Sequence, residues 1–501
     1  MTDYSAMTYA CMYLLENSPD TNKEKLIRIQ QSMDDALFDN ALDFSYPLKS
    51  KHDIVVLNDG TYSLIGSLGE AFNVKVVDTA KVVRIEGRAG DYHVHVRHDN
   101  EIIKYPASSL VYCGNNNTWL KYDAIEVHGN LSRIAPQLSA RTTKDTFVKT
   151  LLFNEGQCDY ASKDSPACRA CLDSCEYFAL VEDITAKTIH LRMSDCTECG
   201  ACVSVCPSGA IQNSRLSVSG LISALENAEG YGVLIATDAD LMKLTSPLYH
   251  EMVILSVPNY SLFNELYLSL LVLKSGGEVY FPDMTTLPVS TQVAICNVNR
   301  IFERFGANAI GDIVSESRHS KCFTPIARRL DNLPLRMAVS EGLGSLKAYS
   351  NNTYTLQNSL FSDLHVDDKC TLCMGCAYVC KSGAFQAQPE NKALTLNPAL
   401  CTGCGHCEKV CPEHSITLTP GRFREEETYV TFSAVAKDEV YCCVECGKPF
   451  ATKKAIAKVA GMFASLMWDD VKTRTLYCCA DCKPKLMLKE HFDKVTSKEG
   501  Y

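Results

Sequence analysis

Cys401-Thr-Gly-Cys404-Gly-His-Cys407-Glu-Lys-Val-Cys411-Pro412 is the stretch that decides how this chain is read. Its spacing, C-x2-C-x2-C-x3-C-P, is that of a loop that holds a [4Fe–4S] cluster. Three thiolates from one tight turn each take one iron of the cubane, and the fourth cysteine points away toward a second cluster. A second cluster needs its own triplet, and one lies just upstream: Cys370-Thr-Leu-Cys373-Met-Gly-Cys376, followed by Cys380. The expected crossed assignment gives Cys370, Cys373, Cys376 and Cys411 to one cluster. The other takes Cys401, Cys404, Cys407 and Cys380.

The same device occurs a second time. Cys168, Cys171, Cys175, Cys196, Cys199, Cys202 and Cys206 fall on Cys373, Cys376, Cys380, Cys401, Cys404, Cys407 and Cys411 at one constant offset of 205. An internal repeat is the simplest cause. The eighth position departs, because Cys158 stands seven residues further from its triplet than Cys370 does, giving C-x9-C in place of C-x2-C. Cys158, Cys168, Cys171 and Cys206 are expected at one cluster, and Cys196, Cys199, Cys202 and Cys175 at its neighbour. The long loop leaves open whether Cys158 ligates or one iron keeps three protein ligands. Pro follows Cys206 and Cys411, whereas Glu176 and Lys381 follow Cys175 and Cys380. Disulfide scaffolds are short and secreted, and zinc sites pair C-x2-C with C-x2-C rather than using a triplet and a Cys-Pro. The pattern resembles polyferredoxins built from bacterial 2[4Fe–4S] ferredoxin modules, here over residues 156–213 and 367–420.

The whole chain has 501 residues, 46% hydrophobic and 22% charged, which suits a soluble protein of about three or four domains. A net charge of −10 argues against a nucleic-acid partner, which calls for a basic face. The start, MTDYSAMTYACMYLLEN, lacks the basic region and cleavage site of a signal peptide. The most apolar run, Ser261 to Leu273, is too short to span a membrane and contains Asn264 and Glu265. With 26 cysteines and no export signal, a cytoplasmic protein whose thiols serve metals is expected.

Residues 1–50 read as a helical segment, with a start signal at Ser18-Pro19-Asp20-Thr21 and Leu26, Ile27, Ile29, Met33, Leu37 and Leu42 at helical spacing. Cys11 reads as a small core residue. Residues 51–155 change period, with strands at Asp53–Leu57, Val74–Asp78, Val82–Ile85, Tyr92–Val96 and Ser109–Cys113 and a hairpin at Gly87/Gly90. His93 and His95 fall on one strand face and read as solvent-facing. Ile85 to Val94 and Val111 to Gly114 make this part resemble a shortened flavin-binding domain of HdrA-type heterodisulfide reductase subunits. That resemblance implies a Rossmann-like fold. The position after the first strand reads Asn58-Asp-Gly-Thr-Tyr-Ser-Leu-Ile-Gly66, with no G-x-G-x-x-G for a pyrophosphate, so bound FAD is not expected.

Residues 214–320 alternate strand and helix: a helix at Ser217–Ala228, strands at Gly232–Ala236, Met252–Ser256 and Glu278–Phe281, and helices at Leu262–Leu273 and Val289–Phe305. This predicts a small parallel sheet. The stretch 253–258 followed by a helix, Gly276-Gly277 and a strand resembles the small MvhD-like delta subunit of methanogen-type hydrogenases. The resemblance implies a [2Fe–2S] site at strand ends. Pro258 stands near the equivalent point, and Cys296 and Cys322 lie elsewhere, so a docking scaffold without that site is expected. Residues 321–366 read as a polar connector.

Residues 425–501 carry Cys442-Cys443-Val-Glu-Cys446 and Cys478-Cys479-Ala-Asp-Cys482. Cys443, Cys446, Cys479 and Cys482 make a four-thiolate set suited to structural zinc in a zinc-ribbon-like domain. Cys442 and Cys478 bring the thiols to six, which keeps a further iron–sulfur cluster as the rival. The expected fold class is thus α+β and multidomain. Four cubanes and no substrate site imply an electron-transfer subunit. Its partners would be redox proteins such as oxidoreductase, hydrogenase, dehydrogenase or heterodisulfide-reductase-like subunits. An HdrA-like flavin enzyme and a non-redox assembly scaffold are the alternatives.

Overall fold

The computed structural model describes residues 10, 13–14, 23–39, 46–47, 52–88, 90–99, 101–115, 119, 122, 124–142, 146–147, 151–160, 168–192, 195–228, 231–244, 252–305, 309–313, 323–326, 330, 333–463 and 470–496. Cys11, Cys322 and the start signal at 18–21 lie outside the described residues. The chain forms two compact units, one of Met1–Leu346 with Gln357–Leu360 and one of Lys347–Leu356 with Phe361–Tyr501.

In the first unit, β-branched runs bounded by turns build two separate parallel sheets. One has the order Asn73–Asp78, Asp53–Asn58, Ser109–Cys113, Ile125–Val127, all parallel. Its middle strands are buried on both faces, as the unbroken runs Ile54–Leu57 and Leu110–Cys113 require. A three-stranded antiparallel sheet, Val82–Arg88, Asp91–His98 and Glu101–Ala107, follows the second strand. His93 and His95 sit half-buried on one face, and His95 Nε2 lies 2.9 Å from Glu86 Oε2.

The other parallel sheet has the order Met252–Ser256, Gly232–Ala236, Val279–Phe281, Ile310–Asp312. Its helix Glu265–Ser275 is buried all round, which explains an apolar run that is not a membrane span. The helix Lys23–Asp39 packs chiefly on the helix Val218–Asn227 and also meets the strand Met252–Ser256, with Leu26, Ile27 and Met33 buried. One polar residue interrupts that apolar stripe. Gln30 is fully buried, donates from Nε2 to Ile254 O at 2.8 Å and accepts from Ile254 N at 2.7 Å. Its amide stands in for a neighbouring strand and closes the open edge of the sheet.

The stretch 321–366, expected as a connector, contains the helix Leu335–Ser345, whose Leu335, Ala338, Val339 and Leu343 are buried against Glu265–Ser275. No helix among the described residues is long and apolar enough to cross a membrane.

In the second unit, Ser362–Val366 pairs antiparallel with Ile416–Pro420, and the hairpin Phe385–Gln388/Ala393–Leu396 gains a third strand at Ser433–Lys437. Phe361, Phe423 and Tyr429 form a buried aromatic cluster with ring centroids 5.5 and 4.8 Å apart. The chain ends in the hairpin Val440–Cys442/Pro449–Thr452 and the helices Lys453–Phe463, Asp470–Leu476 and Lys483–Thr496.

Candidate iron–sulfur and metal centres

The offset of 205 that relates the cysteines also relates the elements around them. The hairpin Leu180–Asp183/Thr188–Leu191 corresponds residue for residue to Phe385–Gln388/Ala393–Leu396. The short helices Ala170–Asp173 and Ala201–Ser204 correspond to Gly375–Val379 and His406–Val410. The backbone signs agree as well. Cys199 is flanked by left-handed Glu198 and Gly200, and Cys404 by left-handed Gly403 and Gly405. Cys373 is flanked in the same way by Leu372 and Met374. A left-handed non-glycine residue costs about 1–2 kcal/mol, so Glu198, Leu372 and Met374 mark loops shaped for a ligand rather than for the chain. The loop at Cys168 differs, because Arg169 has φ −123°. It is the loop with the long insertion.

The thiols of each module lie close enough to act on one another, most strongly in the groups that the crossed assignment expects. Cys171 is raised above the ordinary thiol range by burial and then by Cys206, Cys168 and Cys158. Burial raises Cys168 to about 11, helped by Asp159, Cys206 and Cys158. Cys158 thus acts on both thiols despite its distance in sequence. Cys202 is pushed up to about 12 by burial and then by Cys196, Cys199 and Cys175. Cys175, Cys196, Cys199 and Cys202 line one cavity.

In the second copy, Cys407 is raised by burial and then by Cys401, Cys404 and Cys380. Burial raises Cys376 to about 12, with Cys370 and Cys373 adding to it. Cys370 is raised by burial, and Cys373 and Cys411 push it further. Four thiolates crowded in a dry site repel one another unless positive charge stands between them. A cluster core supplies that charge, so crowded thiols of this kind fit [4Fe–4S] groups in donor type. Cys411 Sγ also takes Ser415 Oγ at 3.3 Å and Ser415 N at 3.5 Å, and Glu198 N and Gly403 N lie 3.4 Å from Cys196 and Cys401 Sγ.

One support for these loops was not read from the sequence. Arg141, on the helix Ala135–Thr142, donates from Nε and Nη2 to the two oxygens of Asp195 at 3.0 and 2.9 Å, and Gln137 donates to Asp195 at 2.8 Å. Asp195 immediately precedes Cys196, and the side chains are 6% and 8% exposed. Burial raises the Asp195 carboxyl, but Arg141 and Arg192 outweigh it and leave it below its usual range. Arg141→Ala leaves the buried carboxylate only Gln137 and Arg192 and is expected to cost about 2–3 kcal/mol in urea unfolding. Adding Asp195→Leu, the residue type that the second copy has at Leu400, is expected to recover most of that loss. The folded Asp195 value lies below the unfolded one, so its stabilisation is full above the ordinary carboxyl value and is lost as pH falls through the folded value.

The flavoprotein-like sheet fails the fit test for a dinucleotide. After Asp53–Asn58 the chain runs through turns without a helix, so no helix N-terminus faces that strand end. Asp59 fills the place instead. It accepts from Thr61 N at 2.8 Å, Tyr112 Oη at 2.7 Å and Asn115 N at 3.2 Å. The Thr61 side chain and Tyr112 hold its carboxyl well below the usual range. A Cβ at Gly114 would lie 2.1 Å from Asp59 Oδ2, so the backbone closes over the carboxylate. Asp59 takes up the donors at this strand end, and its negative charge repels a phosphate. At the other sheet, the strand ends carry Thr237, Ser256 and Asp283 rather than cysteine, and Cys296 is exposed on the helix Val289–Phe302.

The C-terminal cysteines separate into four and two. Sγ atoms of Cys443, Cys446, Cys479 and Cys482 all lie within 4.8 Å of one another, and Cys446 and Cys479 are 3.7 Å apart. Bonds of about 2.3 Å to one tetrahedral ion put thiolates about 3.8 Å apart. A four-iron cage holds them wider. Burial raises the Cys443 thiol, but the N–H groups of Cys479, Cys446 and Glu445 outweigh it and bring it down to about 6. Cys442 is exposed, and Cys478 donates to Arg474 O at 3.3 Å, so the foursome omits both.

Residues 166–210 and 369–415 each match the 4Fe-4S dicluster domain; Cys158 lies before the first match. An archaeal-type glutamate synthase [NADPH] of Thermotoga maritima is 40% identical over 58 residues, 11% of this chain and 11% of that protein. The indolepyruvate oxidoreductase subunit IorA of Thermococcus kodakarensis is 47% identical over 49 residues, 9% of this chain and 7% of that protein. The chain thus spans 11% or less of the length of these two relatives. An uncharacterized ferredoxin of Methanocaldococcus jannaschii is 38% identical over 56 residues, 11% of this chain and 86% of the ferredoxin. Through its two 4Fe-4S dicluster domains, the chain belongs to the ferredoxin family.

Proposed function

We propose that this protein relays single electrons between partner oxidoreductases through four [4Fe–4S] clusters. Cys158, Cys168, Cys171 and Cys206 hold the first cluster, and Cys175, Cys196, Cys199 and Cys202 the second. Cys370, Cys373, Cys376 and Cys411 hold the third, and Cys380, Cys401, Cys404 and Cys407 the fourth. The observation that carries this reading is the repetition of seven cysteines at one offset, with corresponding hairpins and with matching loops at Cys199 and Cys404. Thiolate-bound cubanes exchange one electron at a time, and cluster charge, hydrogen bonds to sulfur and exposure set their potentials. Cys443, Cys446, Cys479 and Cys482 hold one zinc ion as a structural fastener, since four filled positions leave none for a substrate. The two parallel-sheet domains serve as docking scaffolds. One of the similar proteins is an oxidoreductase subunit by name, which supports redox proteins as partners.

The test is metal and sulfide content of anaerobically purified protein, with electron paramagnetic resonance after dithionite reduction. About sixteen iron, sixteen sulfide and one zinc, with signals of coupled clusters, are expected. About twelve iron would place the fault at the Cys158 loop. Four or fewer iron with several zinc would sink the electron relay and leave a scaffold.

A further inference from the structure

The cavity of the Cys175, Cys196, Cys199 and Cys202 quartet has one covered side and one open side. On the covered side, Asn259 Nδ2 donates to Glu198 O at 2.8 Å, and Leu262 packs so close to Gly200 that a Cβ there would meet it at 2.9 Å. Cys199 and Glu198 are exposed, and so are Glu176, Tyr177 and Phe178, which follow Cys175 directly in the chain. Tyr177 and Glu198 line the same cavity as the thiols.

Phe178 is the telling residue. It is 73% exposed and left-handed, with φ 52°. A bulky side chain in that conformation is strained, and an exposed ring gains nothing from burial. The equivalent position in the second copy is Gly383, which takes φ 71° without strain. The turn is nonetheless fixed, because Arg192 Nη2 donates to Phe178 O at 2.6 Å. Neither folding nor cluster binding calls for a phenylalanine here. The charges differ between the copies in the same way: Glu176 and Glu198 stand where the second copy has Lys381 and Gly403.

We propose that Tyr177 and Phe178, ringed by Glu176 and Glu198, form the docking face of this quartet. The partner is a one-electron carrier protein that presents lysine or arginine around its own redox centre. Exposed aromatics are the anchors such interfaces bury, and opposite charge at the rim steers the encounter. In the step, one electron passes between the partner's centre and the cluster, one being oxidised and the other reduced, and no bond changes. The proposal rests on the electron-relay reading.

The probe is a basic c-type cytochrome in its ferric form, offered to the dithionite-reduced, desalted protein. Its reduction rate is read as a ratio to the rate with a neutral quinone, and each variant is checked for cluster content. Phe178→Gly, which relieves strain as it removes the ring, is expected to lower that ratio about tenfold at low ionic strength. Glu176→Lys with Glu198→Lys is expected to do the same, and the wild-type ratio should fall as salt is raised. Glu70→Lys with Glu101→Lys changes the net charge equally on exposed residues elsewhere and is expected to matter much less. An equal effect from that control, or no effect from Phe178→Gly, would overturn the docking face while leaving electron relay intact. If neither acceptor is reduced by cluster-loaded protein, the relay reading falls and the docking face with it.

Discussion

Cys411→Ala is expected to remove the cluster of Cys370, Cys373 and Cys376 and to spare the one held by its own run. Iron should fall from about sixteen to about twelve per chain, and the coupled signal of that module should give way to that of an isolated cluster. The argument is one of placement. Cys411 caps the C-terminus of the helix His406–Val410, which carries Cys407, and the thiol it pushes upward is Cys370. Cys407 answers instead to Cys401, Cys404 and Cys380. Double substitutions make the test decisive. With crossed ligation, Cys370→Ala with Cys411→Ala strikes one cluster and costs about four iron, whereas Cys370→Ala with Cys380→Ala strikes two and costs about eight. Uncrossed ligation reverses the two results.

The cysteine spacing made the modules legible because cluster chemistry fixes ligand positions to the residue, and the repeat supplied an internal check. The buried parallel strands were legible for the same kind of reason: runs such as Val233 to Ala236 and Val253 to Leu255 have few other places to go. Glu101–Ala107 is mostly exposed and carries Pro106, so it shows no alternation to read. The helix Leu335–Ser345 contains Gly342 and Gly344 and is held by packing rather than by propensity. The polar fasteners were invisible because their partners are remote in sequence. Gln30 binds Ile254, Arg141 binds Asp195, and Asp59 meets Tyr112, and no local pattern announces such pairs. The placement of Cys158 belongs to the same class. Its nine-residue gap breaks the spacing rule, and only the folded chain returns it to Cys168 and Cys171.

Anaerobic removal of the metal from Cys443, Cys446, Cys479 and Cys482 is expected to unfold the region 440–496 and leave most of the iron in place. Among the described residues, the buried cluster of that region is Cys443, Cys478 and Cys479, with Phe450, Cys482 and Leu486 packed against it. The four thiolates stand at the centre of that cluster, so the metal they hold is expected to offset much of the entropy of ordering the helices around it. Val459, Met462, Phe463, Met487 and Leu488 are exposed and add nothing to it. A four-thiolate zinc site contributes about 10–16 kcal/mol, as much as the whole stability of an ordinary domain. Limited proteolysis should therefore cut within 440–496 after chelation, and Cys446→Ser should give the same fragments without chelator. Cys442→Ser, at an exposed thiol outside the foursome, should not. A second consequence reaches the neighbouring cluster loop. Thr452 Oγ1 donates to Thr371 O at 3.3 Å, and Lys454 Nζ donates to Asp368 O at 2.8 Å, so the region braces the turn that carries Cys370. Its unfolding should hasten loss of the Cys370, Cys373, Cys376 and Cys411 cluster in air, ahead of the other three. If 440–496 stays resistant to protease once the metal is gone, the four thiolates are not what holds it.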